Sequence, residues 1–182
     1  LKQVPDWVMH RYHIPSFRAA IAAGAAAVMG NSGSSDHSRI LCTVPTPQLP
    51  PGATGSVNKI PGHANYHLLV EILRNELNFT GLFVSDYADV GKLFRIGYAK
   101  SWHEAVKIAM DVELDVTMVL YVRQLSVTQI LTFSTDTEEF APSLLDLVNS
   151  GQVSEERLDR SVRRILELKD RLGYDLQIKL DF

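Results

Sequence analysis

The chain has 182 residues, 46% of them hydrophobic, which is enough for one domain with a sizeable core. Lys and Arg total 18 against 21 for Asp and Glu, and the formal net charge of -3 gives no electrostatic reason to expect nucleic acid or an anionic membrane as partner. No run approaches the ~20 apolar residues that span a bilayer, and the single cysteine, Cys42, has no partner for an internal disulfide. The chain begins at Leu1 with neither Met nor a signal-peptide pattern, so residues before it are expected and the compartment stays open.

The first readable element is a helix from Pro15 to Ala23, with proline in its first turn and Gly24 just past its end. Ala25 to Met29 reads as a short buried strand. From Asn65 to Leu77 the apolar residues Leu69, Ile72, Leu73 and Leu77 keep helical spacing; Asn65 suits the cap and Asn78 the left-handed stop. After Gly81, Leu82-Phe83-Val84 is an apolar run too short for a helix and typical of a parallel strand buried on both faces. Ser101 with Glu104 forms a capping-box pattern opening a helix to about Met110. Asp115 to Leu120 reads as another buried strand. Asp136 and Glu139 open a helix containing Leu144, Leu145, Leu147 and Val148, closed by Gly151. Ser154 caps the last helix, Glu155 and Glu156 lie in its first turn, and Leu158, Val162, Ile165 and Leu172 form its apolar stripe before Gly173.

Strands alternating with helices mean parallel pairing through helical crossovers. Three strands are read, against the eight of a closed barrel, so the pattern predicts an α/β fold, either part of a barrel or a small open sheet. Residues 34–55 hold four prolines and many Ser and Thr, which reads as a loop, and 120–135 are β-prone without an evident partner.

Chemistry concentrates at Val84-Ser85-Asp86-Tyr87. Asp86 follows the C-terminal end of a buried strand, where α/β enzymes place catalytic groups; an Asp there also serves as an ordinary cap, and local sequence leaves both open. Asp89 is a rival carboxylate. His10 and His13 read as surface or helix-start residues, and Trp102 and Phe94 as packing residues. Asn78-Phe79-Thr80 is an N-glycosylation sequon, relevant only to a secreted chain.

Ile60-Pro61-Gly62-His63-Ala64-Asn65, the Leu-rich helix with its Arg74-Asn75-Glu76 step, and Gly81 through Val84-Ser85-Asp86-Tyr87 together resemble the signature of glycoside hydrolase family 3. Pro15 through Met29 and Leu147 through Gly173 resemble the family as well. The resemblance runs over residues 12–33, 56–119 and 136–174. It implies an incomplete TIM-type (β/α)₈ barrel fragment, with parallel strands and outer helices, and retaining β-glucosidase-like hydrolysis of O-glycosyl bonds without a cofactor. Asp86 would be the nucleophile, Tyr87 and Met29 would bind the sugar, and no metal site is expected.

In the family the acid/base comes from a following domain or an earlier barrel loop, so a missing domain or second subunit is expected as partner beside the carbohydrate. The sequence departs from the pattern in three places. Asn31-Ser32-Gly33 stands where Ser-Tyr-Asn is usual, Tyr87 replaces Trp, and Val112-Glu113 replaces an Ala-Gly pair. Removing 34–55 or 120–135 restores the family's register, so each reads either as an insertion or as translated non-coding sequence. The alternatives are a non-catalytic remnant with a barrel-derived fold and an unrelated small α/β binding domain.

Overall fold

A computed structural model describes residues 6–30, 56–57, 60–86, 88–118 and 135–174. A π-helical turn, Met9–His13, leads into α1 (Ile14–Ala22), whose exit glycine, Gly24, has φ +92°. Strand β1 (Ala27–Met29) follows, then a short antiparallel pair, β2 (Ser56–Val57) and β3 (Ile60–Pro61). Next come α2 (His67–Glu76), β4 (Leu82–Val84), α3 (Asp89–Arg95) and α4 (Trp102–Asp111). The chain closes with α5 (Thr135–Asn149) and α6 (Glu155–Arg171).

The expected parallel pairing is present. β1 and β4 run parallel in the register Ala27↔Leu82, Val28↔Phe83 and Met29↔Val84. A parallel bridge from Val84 to Val116 adds a third segment on the other side of β4. Helical crossovers separate all three, as parallel strands require. Phe83, 1% exposed, packs with Leu69, Ile72, Leu73, Leu93, Val106 and Leu147 in one core.

Caps fall where local chemistry puts them. Asn65 Oδ1 accepts from the Leu68 N–H at 3.1 Å while its amide donates to Val57 O at 3.0 Å. Asn78 is left-handed, with φ 50°. Ser101 Oγ accepts from Glu104 N at 3.1 Å, and the Glu104 carboxylate reaches back to Lys100 N at 2.6 Å. Ser154 Oγ accepts from Arg157 N at 3.2 Å. The rings of Phe94 and Trp102 lie 6.4 Å apart and tilted, a packing contact.

Four expectations change. β1, expected to be buried, has Ala27 and Met29 exposed and Val28 half-buried. α2 is wound with i→i−5 hydrogen bonds, as in Leu77 N to Ile72 O, rather than as an ordinary α-helix. The strand expected over 115–120 pairs only at Val116 within its described part. The apolar stripe of α6 is not its buried face: Val162 and Leu172 are 44% and 65% exposed, whereas Arg157 and Ser161 are buried. The reason is polar. Arg157 donates to Met110 O and Leu114 O, both at 2.8 Å, so it ties α6 to the end of α4 and to the loop after it. Residues 34–55 and 120–134 lie outside the described residues, and Thr135 already belongs to α5.

Gly81 precedes β4 where two backbones touch. A Cβ there would collide with the Ala26 carbonyl oxygen, which accepts from Leu82 N at 3.0 Å, and would lie 2.7 Å from Phe79 Cζ. Gly81→Ala is therefore expected to destabilise the protein by about 1–3 kcal/mol through overpacking. A melting midpoint equal to wild type would show that β1 and β4 separate freely there.

Candidate active site

The parallel segments divide the charged residues between two ends. At the N-terminal end lies a network centred on Asp115, whose side chain is fully enclosed. Its Oδ2 accepts from Arg74 at 2.7 Å and from Phe83 N at 2.9 Å; its Oδ1 accepts from Ser161 at 2.6 Å and Arg164 at 2.8 Å. Arg74 also donates to Phe79 O and Gly81 O, at 3.0 and 2.6 Å. Desolvation holds the Arg74 and Arg157 guanidiniums below their ordinary range. In parallel α/β folds this end stabilises and the opposite end binds.

Glu113 belongs to the same network with φ 64°, a left-handed conformation that glycine adopts freely and other L-residues adopt at a cost of roughly 1–2 kcal/mol. This gives physical meaning to its place where the resembled family has glycine. The carboxylate accepts from Arg160 at 3.0 Å and pairs with Arg164 at 2.9 Å. Burial acts against its charge, but the hydrogen bond from Arg160 and the charges of Arg157 and Arg164 outweigh burial and lower its pKa. Glu113→Ala keeps the strain and removes the carboxylate, so it should destabilise by about 1–3 kcal/mol. Glu113→Gly loses the same pairs and releases the strain, so it should be the more stable of the two by about 1 kcal/mol. Equal unfolding midpoints for the two variants would contradict the backbone argument.

At the C-terminal end of β4 stand Ser85, Asp86, Ala88 and Asp89. Ser85 is fully buried; its N–H donates to Val116 O at 2.9 Å and its Oγ accepts from Met118 N at 2.9 Å. Asp86 follows, half-buried, and its carbonyl accepts from Asp89 N at 3.2 Å. It is not the cap of α3. That position belongs to Ala88, left-handed at φ 56°, which gives no side-chain cap. The Ala88 N–H donates to Met118 O at 2.9 Å.

The rival carboxylate, Asp89, is fully buried. Its Oδ1 lies 2.6 Å from Lys92 Nζ and its Oδ2 3.5 Å from His63 Nδ1. His63 is 4% exposed, and neither ring nitrogen has a hydrogen-bond partner among the described residues. Burial pushes its pKa down, Asp89 opposes that, and Lys92 and Asp86 act more weakly in opposite senses.

Of the residues expected to bind sugar, Met29 ends β1 beside Val84 and is 54% exposed; Tyr87 lies outside the described residues. Sequence reasoning did not single out His63 and Lys92 as neighbours of Asp89, although Lys92 stands one helical step after it. Among the described residues no group of three or more His, Cys, Asp and Glu side chains is arranged to hold a metal ion.

A family profile described as "Glycosyl hydrolase family 3 N terminal domain" matches residues 1–168. The chain is 37% identical over 172 residues to the lysosomal beta glucosidase of Dictyostelium discoideum, an alignment covering 93% of this chain and 16% of that protein. The beta-glucosidase of Listeria innocua in complex with glucose superposes with a TM-score of 0.67 at 26% identity, over 94% of this chain and 19% of that one. A family 3 beta-N-acetylglucosaminidase from Paenibacillus shares the fold with a TM-score of 0.66 at 24% identity, over 99% of this chain and 29% of that one. The chain thus spans a minor part of the length of each. With the profile extending over most of its residues, the chain belongs to glycosyl hydrolase family 3, within that family's N-terminal domain.

Proposed function

We propose that this chain is part of the (β/α)₈ barrel of a retaining β-glucosidase and that Asp86 is the nucleophile. One observation carries the assignment. Asp86 lies just past the C-terminal end of β4 with its side chain half-buried, while Asp89 beside it is enclosed against Lys92 and Asp115 is held at the opposite end. Of the three, Asp86 is the half-buried carboxylate at the end where parallel strands bind ligands, and this supports the reading.

In the proposed reaction an Asp86 carboxylate oxygen attacks the anomeric carbon while the bond to the leaving oxygen breaks. An acid about 5–5.5 Å away protonates that oxygen, and water then hydrolyses the glycosyl-enzyme. Met29 and Tyr87 would flank the sugar, with the Tyr87 ring offering a flat apolar face. The substrate class is a β-glucoside or related oligosaccharide, in keeping with relatives named as beta-glucosidases. The acid is assigned outside this chain, in a further domain or subunit, and residues 34–55 and 120–135 are read as insertions in the barrel.

The 182-residue chain alone is therefore expected to hydrolyse nitrophenyl β-glucoside at least about 10⁴-fold more slowly than the full-length gene product, since both acid catalysis and sugar positioning are lacking. Turnover clearly above an Asp86→Asn control would mean that a complete site assembles from this chain. A full-length product with no activity on any glycoside would favour a non-catalytic remnant.

A further inference from the structure

The turn bearing Asp86 is fastened on two sides. One side is the hydrogen bonding of Ser85 and Ala88 to residues 116–118. The other side runs through Asp89. Its backbone N–H holds the Asp86 carbonyl at 3.2 Å, and its fully buried carboxylate sits between Lys92 Nζ at 2.6 Å and His63 Nδ1 at 3.5 Å. His63 belongs to the turn Gly62–Ala64, a separate piece of chain that leads into Asn65 and α2.

A buried carboxylate between two nitrogen-bearing side chains is costly to assemble. The left-handed alanine adjoining it, at φ 56°, adds strain that the surrounding contacts must overcome. Strain and buried charge at one turn beside a candidate nucleophile are an arrangement that fixes geometry rather than one that adds stability.

We propose that His63, Asp89 and Lys92 form a positioning cluster that holds the Asp86 turn in register with the sugar, none of the three touching the substrate. The proposal rests on the reading of Asp86 as nucleophile. Asp89 fixes the Asp86 backbone directly. His63 keeps the Asp89 carboxylate aligned from the far side, and Lys92 balances its charge. Loss of any member lets the turn shift, and a displacement of about 1 Å at a reacting atom lowers turnover by roughly 10²-fold. Sugar binding, made largely by other groups, changes little.

The test uses the full-length protein, with nitrophenyl β-glucoside as probe and Asp86→Asn measured in parallel. His63→Gln and Asp89→Asn are each expected to lower kcat by about 10–100-fold while KM stays within about threefold. The double variant should be no worse than the poorer single one, because both changes break one unit. A purely structural role would lower the melting midpoint and leave kcat per folded molecule intact.

An inactive Asp86→Asn beside His63→Gln and Asp89→Asn variants that keep wild-type kcat would overturn the cluster while leaving the nucleophile in place. An active Asp86→Asn would overturn the nucleophile reading, and the cluster with it. Should the buried variants fail to fold, Lys92→Met changes a partly exposed member and takes their place: a tenfold or greater fall in kcat at unchanged KM supports the proposal, and wild-type kcat overturns it.

Discussion

Asp86→Asn in the full-length protein is expected to lower kcat by at least about 10³-fold, because loss of a covalent nucleophile removes the intermediate itself and costs up to ~10⁶-fold in well-studied cases. A factor of 10³ corresponds to about 4 kcal/mol of barrier. The substitution is nearly isosteric, and the hydrogen bond at this residue that fastens the turn uses its backbone carbonyl, so the fold should survive. KM should move far less than kcat. Asp89→Asn provides the contrast: its smaller expected loss arises by displacement of the turn, not by removal of the attacking group. If Asp89→Asn were the more damaging change, the two carboxylates would have to exchange roles.

Asp115→Ala is expected to destabilise the protein by about 3–5 kcal/mol, the usual consequence of removing one member of a buried charged set. The carboxylate receives four hydrogen bonds: from Arg74 on α2, the Phe83 backbone in β4, and Ser161 and Arg164 on α6. Its loss leaves the Arg74 guanidinium buried beside Arg164 with like charge, and only the more distant charge of Glu113 to offset it. The arginine still reaches three carbonyls, those of Phe79, Gly81 and Glu113, which limits the effect without cancelling it. Replacing Asp115 and Arg74 together should be less damaging than the sum of the single changes, since both act on one contact. A denaturant midpoint corresponding to less than about 1 kcal/mol would mean that solvent reaches this end and screens the charges.

These two expectations separate the ends of the same parallel strands, and the sequence reveals that division only partly. Signals confined to a few neighbouring residues are legible: Ser101 and Ser154 as caps, Asn78 and Gly24 as left-handed stops, and the apolar run of β4. Their physics is local, and so is their pattern. α3 escapes notice because it is short, carries Gly91 in its interior and starts from a left-handed alanine instead of a polar cap. The docking of α6 escapes for another reason: its buried face is Arg157 and Ser161, whose partners are the end of α4 and the loop after it, so hydrophobic periodicity points to the wrong side. The position of Asp86 at a strand end is legible, whereas the approach of His63 to Asp89 is not, because only the folded chain brings Gly62–Ala64 against α3. Glu113 stands between these cases. Its replacement of a family glycine is visible in the sequence, but the left-handed backbone and its arginine partners are not.

Attack of Asp86 on the anomeric carbon is tested by trapping the glycosyl-enzyme. A 2-deoxy-2-fluoroglucoside with a good leaving group slows both steps of a retaining reaction and lets the covalent intermediate accumulate. The full-length protein is treated with this reagent and digested, and the modified peptide is sequenced by mass spectrometry. One added fluoroglucosyl group is expected on Asp86, and none in Asp86→Asn. A label on Asp89 or on any other carboxylate, or steady turnover of the reagent's parent glucoside by Asp86→Asn, would contradict it.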